Sequence, residues 1–237
     1  MTTCLKRPFI SLNAYFELDR DATERLEYRN GEVRAMGGAQ PEHNTICANV
    51  IGELRSGLRG SGCRPFTSDQ RVKVNAGSPY LYPDVALACA PQFVCINGLR
   101  TLVNPTLIVE VTSPITAQDD RGAKFLQYQT IATLTDYLLV DSTAVGVLHY
   151  QLRDGQWQPQ LLESIDDRLL LPTLGLEIPL CEIYLDAWPE TAQGGPPDRH
   201  DACEGTRVLG REQVSGSVWP IKPPKQAAGG SLRRSAL

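Results

Sequence analysis

The run Thr106-Leu-Ile-Val-Glu-Val111 sets a carboxylate inside an otherwise apolar stretch. Its apolar density predicts a buried strand, and a charge there is costly unless something binds it. Any fold open to this chain must therefore bring a compensating group to Glu110, which shares a strand face with Thr106 and Ile108. Pro83-Asp-Val-Ala-Leu-Ala88 poses the same problem, because alternation puts Asp84, Ala86 and Ala88 on one strand face. If the two strands end side by side, their carboxylates repel, and a divalent cation is the natural compensation. Hard oxygen ligands select Mg²⁺ or Mn²⁺ over zinc.

The rest of the body alternates helical and extended signals. Ser11 to Leu18 reads as a short helix with Ser11 as N-cap. Arg25 to Met36 reads as a β-hairpin turned on Asn30-Gly31, with Glu27 opposite Arg34 and Tyr28 opposite Val33. Pro41 to Leu58 is a helix by the spacing of Ile46, Cys47, Val50, Ile51, Leu54 and Leu58, and His43 lies on the same inward stripe. Arg71 to Val74 alternates like a strand. Past Ser113-Pro114, Thr116 caps a helix from about Ala117 to Ile131, with Asp119 and Asp120 in its first turn. Asp136–Asp141, Val145–Leu152 and Trp157–Leu162 are strands, the last two joined at Asp154-Gly155. Interspersed helices and strands predict an α+β fold on a mixed central sheet flanked by helices, with an N-terminal hairpin.

Composition narrows the class. A chain of 237 residues with 42% apolar residues carries a real core, and no apolar run approaches the roughly 20 residues of a membrane span. The N-terminus has no signal-length apolar stretch. The net charge of −4 excludes coating of nucleic acid by bulk electrostatics but leaves room for a metal-dependent acidic site. Seven cysteines without C-x-x-C spacing, and three histidines, argue against a structural zinc site and for reduced thiols in a cytoplasmic protein. Phosphate-loop, dinucleotide and G-x-S-x-G patterns are absent from the sequence. Residues 188–237 hold six of the 17 prolines and seven of the 20 glycines. Residues 1–187 read as the folded domain, and 188–237 as a disordered tail too poor in apolar surface to offset chain entropy.

Lys124 and Tyr128 stand four apart on the helix after Glu110, so they share one face. A lysine beside paired carboxylates can orient an attacking water or stabilise developing charge. Pro83-Asp84, Glu110-Val-Thr-Ser-Pro-Ile-Thr116, Asp120-Arg-Gly-Ala-Lys124 and Tyr128 together resemble the Uma-type putative restriction endonuclease family of the PD-(D/E)XK nuclease superfamily. Glu27 with Asn30-Gly31-Glu32 and Met36, followed by His43, is similar to that family's N-terminal pattern, and the likeness spans about residues 8–187. It implies a restriction-endonuclease-like fold and a Mg²⁺-dependent endonuclease, with Mn²⁺ as substitute ion and DNA as the first-choice nucleic acid. It also implies Asp84 and Glu110 as metal ligands, Lys124 as the assisting cation, and Tyr128, His43 and Glu27 as further site groups. The superfamily's usual lysine position, two after the glutamate, is Thr112 here, and Lys124 takes its place from the following helix.

Structural roles compete for each residue. Glu110 can pair with Lys124 without metal, Asp84 can bond backbone amides, and Glu27 can pair across the hairpin with Arg34. His43 can be a core or helix-start histidine, Tyr128 part core, and Asp120 a dipole-compensating residue. The expectation that the resemblance carries is a metal-dependent nuclease, as a homodimer if both strands of a duplex are cut. The alternative is a catalytically inactive nuclease-fold module serving binding or assembly.

Overall fold

The computed structural model describes residues 9–75, 79–112, 120–188 and 205–209. Ser11 caps α1 (Leu12–Asp21), its hydroxyl accepting from the Ala14 amide at 3.2 Å. That satisfies one of the amides a helix start leaves unpaired. β1 (Leu26–Arg29) and β2 (Glu32–Ala35) form the hairpin in the anticipated register, with Glu27 opposite Arg34. Asn30 and Gly31 sit at φ 50° and 94°, as a type I′ turn requires. α2 (Pro41–Gly57) buries Ile46, Val50 and Leu54 along one stripe. β3 (Cys63–Thr67), β4 (Val72–Lys73), β5 (Tyr80–Leu81) and β6 (Val85–Cys89) follow. A second hairpin, β7 (Phe93–Ile96) and β8 (Leu99–Leu102), turns on Asn97-Gly98 and leads to β9 (Leu107–Thr112).

A π-helical turn at Asp120–Lys124 runs into α3 (Phe125–Tyr128), which stops short of Ile131. There the chain tightens into a turn, the Ile131 amide donating to the Tyr128 carbonyl at 2.9 Å. Thr116, Ala117 and Asp119 lie outside the described residues. β10 (Asp136–Asp141), β11 (Val147–Arg153), β12 (Gln156–Leu162), β13 (Arg168–Leu171), β14 (Leu176–Pro179), α4 (Leu180–Ile183) and β15 (Arg207–Val208) complete the fold.

The central sheet runs β12-β11-β10-β9-β6-β3, antiparallel except for the parallel pair β9–β10. A parallel pair needs a crossover, and the Asp120–Tyr128 segment lies in it. Both faces of the sheet are covered, which explains the continuous apolar run around Glu110. On one side, Val85, Leu87, Val109, Val111, Leu138 and Val140 pack with Ile46, Val50 and Leu54 of α2. On the other, Ala86, Ile108, Tyr137 and Leu139 pack with Tyr128, Leu134, Val72 and Leu102. Each fully buried Leu, Ile or Val contributes about 1.5–3 kcal/mol. A second sheet, β2-β1-β5-β4-β8-β7, stands beside the first, and a third, β13-β14-β15, adds Leu169, Leu171, Leu176 and Ile178 to the α2 core.

Among the described residues no helix is long and apolar enough to cross a membrane. The reading of reduced thiols is corrected: Cys63 and Cys89, at paired positions of β3 and β6, form a disulfide, and Cys181 is also disulfide-bonded. Strand pairing brings the first two together, which spacing alone does not reveal. Within the region read as a tail, Arg207–Val208 forms a strand on β14, and Trp188 stacks on Tyr184.

Candidate functional site

Five elements meet at one end of the β6–β9 pair. The β6–β9 register ends with Val85 opposite Val109, and Asp84 and Glu110 each lie one residue beyond that pair. Asp84 is then fixed by the backbone it faces, its Oδ2 accepting from the Val111 amide at 2.8 Å. His43, in the first turn of α2, brings Nε2 to 3.2 Å from the same oxygen. Among the described residues Asp84 Oδ1 takes no hydrogen bond.

Glu110 is 2% exposed. Its Oε1 receives Lys124 Nζ at 3.2 Å and the Tyr128 hydroxyl at 3.2 Å. The four-residue spacing thus aims both side chains at one carboxylate. Lys124 also lies 3.4 Å from Glu27 Oε1 and so spans the central and second sheets. Glu27 is held in turn by Arg29 at 2.8 Å and by the Tyr82 amide at 3.3 Å. Its carboxylate therefore turns to Arg29 and Lys124, although the hairpin register puts Arg34 opposite it.

The six residues singled out from the sequence fall into two linked groups, Glu27–Lys124–Glu110–Tyr128 and His43–Asp84, which adjoin where Asp84 accepts from the Val111 amide next to Glu110. Asp120 belongs to the turn that carries Lys124. Three further participants were not foreseen. Arg29 is readable from the period of two that puts it on the face of Glu27. Cys47 is readable from its place one helical turn after His43. The Tyr82 amide carries no signal in its side chain.

The electrostatics sort these groups. Burial opposes a proton on His43, but hydrogen bonding and the charge of Asp84 outweigh it, and the pKa is raised. Burial first, then Glu110 and Glu27, push Tyr128 well above the ordinary phenol value, so it stays a hydrogen-bond donor. Burial, Asp84 and Glu110 likewise raise Cys47 above the ordinary thiol value. Three carboxylates face Arg29, Lys124 and a titratable imidazole, a donor set of hard oxygens suited to a divalent cation.

The architecture is that of a nuclease-like α+β domain. It superposes on the crystal structure of a putative nuclease belonging to DUF820 from Anabaena variabilis with a TM-score of 0.61, covering 74% of this chain and 97% of that one at 18% identity. The chain belongs to the Uma2 family, described as "Putative restriction endonuclease", whose profile matches residues 12–181. Two uncharacterized proteins of Synechocystis sp. are similar in sequence. One, slr1290, is 34% identical over 178 residues, or 75% of this chain and 92% of the relative. The other, sll1609, is 36% identical over 145 residues, or 60% of this chain and 81% of the relative.

Proposed function

We propose that the chain is a Mg²⁺-dependent endonuclease that hydrolyses phosphodiester bonds of nucleic acid, DNA before RNA, by attack of water. The observation that carries this reading is Asp84, bonded to the amide of Val111 next to Glu110, with Lys124 Nζ 3.2 Å from the Glu110 carboxylate. The residues fit a hard divalent ion: among the described residues Asp84 keeps an oxygen without a hydrogen bond, and oxygen donors dominate the cluster. Asp84 and Glu110 would hold the ion, with Mn²⁺ able to substitute. When bound, such an ion polarises a phosphate oxygen and lowers the pKa of coordinated water.

The chain's own groups prepare the site. His43 and the Val111 amide orient Asp84. Tyr128 orients Glu110 from a position closed to solvent. Lys124 keeps a positive charge where the attacking water and the charged phosphorane-like centre need one. Glu27, anchored by Arg29, holds Lys124 in place. As a homodimer working on a duplex in the cytoplasm, two such sites would address the two strands.

Asp84→Asn and Glu110→Gln should each lower cleavage of supercoiled DNA in Mg²⁺ by roughly 10²–10³-fold, the usual cost of losing one stabilising group. Wild-type cleavage by Asp84→Ala would overturn the assignment. The Lys124 ion pair with Glu110 favours a second reading, in which the ammonium replaces the metal and the fold serves binding or assembly. Calorimetric titration with Mn²⁺ separates the two, and no heat at millimolar ion selects the second.

A further inference from the structure

We propose that His43, Cys47 and Asp84 form a second cation position, selective for a thiophilic divalent ion of the zinc class and overlapping the hard-ion position at Asp84. One ligand atom from each of the three residues lies within 4.8 Å of the other two. His43 and Cys47 are stacked one helical turn apart at the start of α2, with Cys47 Sγ 3.6 Å from His43 Nδ1. His43 Nε2, the ring nitrogen on the Asp84 side, lies 3.2 Å from Asp84 Oδ2, and a tetrahedral ion with nitrogen and oxygen bonds of about 2.0–2.2 Å sets two such ligands about 3.4 Å apart. The spacing seen is therefore close to one edge of such a site.

Cys47 supplies the third direction, its ligand atom within 4.8 Å of the other two. Asp84 Oδ2 is already steadied by the Val111 amide, and Asp84 Oδ1 takes no hydrogen bond among the described residues. Neither His43 nor Cys47 is sealed from solvent, so an ion has a route in. Sulfur, nitrogen and one carboxylate oxygen are a borderline-soft set that favours Zn²⁺ or Co²⁺ over Mg²⁺. With three protein ligands the fourth position stays open, as in reactive zinc centres rather than structural ones. Composition argues against a four-ligand structural site, and this arrangement needs neither C-x-x-C spacing nor a second histidine.

Sharing Asp84 has a functional consequence. A thiophilic ion held there withdraws one carboxylate from the hard-ion position, so Zn²⁺ should inhibit Mg²⁺-supported cleavage competitively. That inhibition rests on the nuclease reading, whereas the binding itself does not.

The test uses Co²⁺ added to the full, metal-free chain. The expected result is one ion per chain with a thiolate-to-cobalt absorption band, displaced by Zn²⁺. Cys47→Ser should remove the band and weaken binding by at least about 10-fold, the lower bound for losing even an outer partner of a metal site. Glu110→Gln, which should abolish cleavage, should keep the band, so a failed nuclease reading and a failed metal site give different outcomes. A wild-type chain with no band, or a band that survives Cys47→Ser, overturns the proposal. Protection of Cys47 from alkylation by Zn²⁺, read by mass on the wild-type chain, tests it without any substitution, and unchanged alkylation counts against it.

Discussion

The buried acidic clusters around Asp19 and around Glu110 are built to different ends. Around Asp19, one carboxylate meets Arg71 at 2.6 Å and the Tyr82 hydroxyl at 2.9 Å, with Tyr15 at 3.4 Å. Arg71 donates further to Thr101 and to the Ile96 carbonyl, and its guanidinium lies against Phe16 and Tyr80. The Asp19 side chain is 1% exposed. Charge is balanced there, and the cluster ties α1 to the second sheet. Around Glu110, among the described residues, three acids from three elements meet the fixed cations Arg29 and Lys124, with His43 beside Asp84, and Asp84 remains 12% exposed in its side chain. A buried acid matched one to one is architecture, whereas a group of acids in excess of cations, open on one side, leaves chemistry to be done.

That contrast can be broken by experiment. The largest effect should come from Arg71→Leu, which strands Asp19 in the interior and should cost about 3–5 kcal/mol of stability. Urea unfolding checks it, and a loss under about 1 kcal/mol would mean that the cluster is not the tie described. Lys124→Met should behave differently. It should lower the thermal midpoint in chelator by an amount equivalent to roughly 3 kcal/mol, because two carboxylates lose their shared cation. Mg²⁺ should restore much of that midpoint, by the linkage that binding to the native state imposes. If Mg²⁺ moves the variant no more than the wild type, the excess acids do not bind a hard ion.

Tyr128→Phe should cost less, about 0.5–1.5 kcal/mol for one hydrogen bond to Glu110, again read by urea. A pH series then sharpens the comparison from the closed cluster. Burial first, with Asp19 adding to it, raises the pKa of both Tyr15 and Tyr82 above 10.0. The native state holds protons that the unfolded chain releases, so this stabilisation is intact below pH 10 and declines as pH rises further. A urea midpoint that stays level from pH 9 to pH 11 would contradict it.

Much of this was legible in the chain. The Asn30-Gly31 hairpin, the α2 stripe and the acid-bearing strands follow from periodicity and turn chemistry. Two acids in apolar runs pointed to neighbouring strands, and β6 and β9 do pair. Asn97-Gly98 carries the same turn signal as Asn30-Gly31, but its flanking strands β7 and β8 are short and half exposed and give little periodicity. The closed cluster was invisible, since Asp19 and Arg71 are 52 residues apart and neither sits in an apolar run. Cys63 and Cys89 likewise meet only through strand pairing. Local pattern reports a side chain's own element, and partners supplied by tertiary contact stay hidden until the sheets are assembled.

The strand at Arg207–Val208 completes the small sheet by covering the free side of β14, with Leu176 opposite Val208 and Glu177 opposite Arg207. Shortening the chain at residue 188 would strip that cover and leave a row of unsatisfied amides and carbonyls beside the α2 core. Such a rim recruits strands from neighbouring molecules, so a truncated protein should be prone to self-association even though every group around Glu110 is intact.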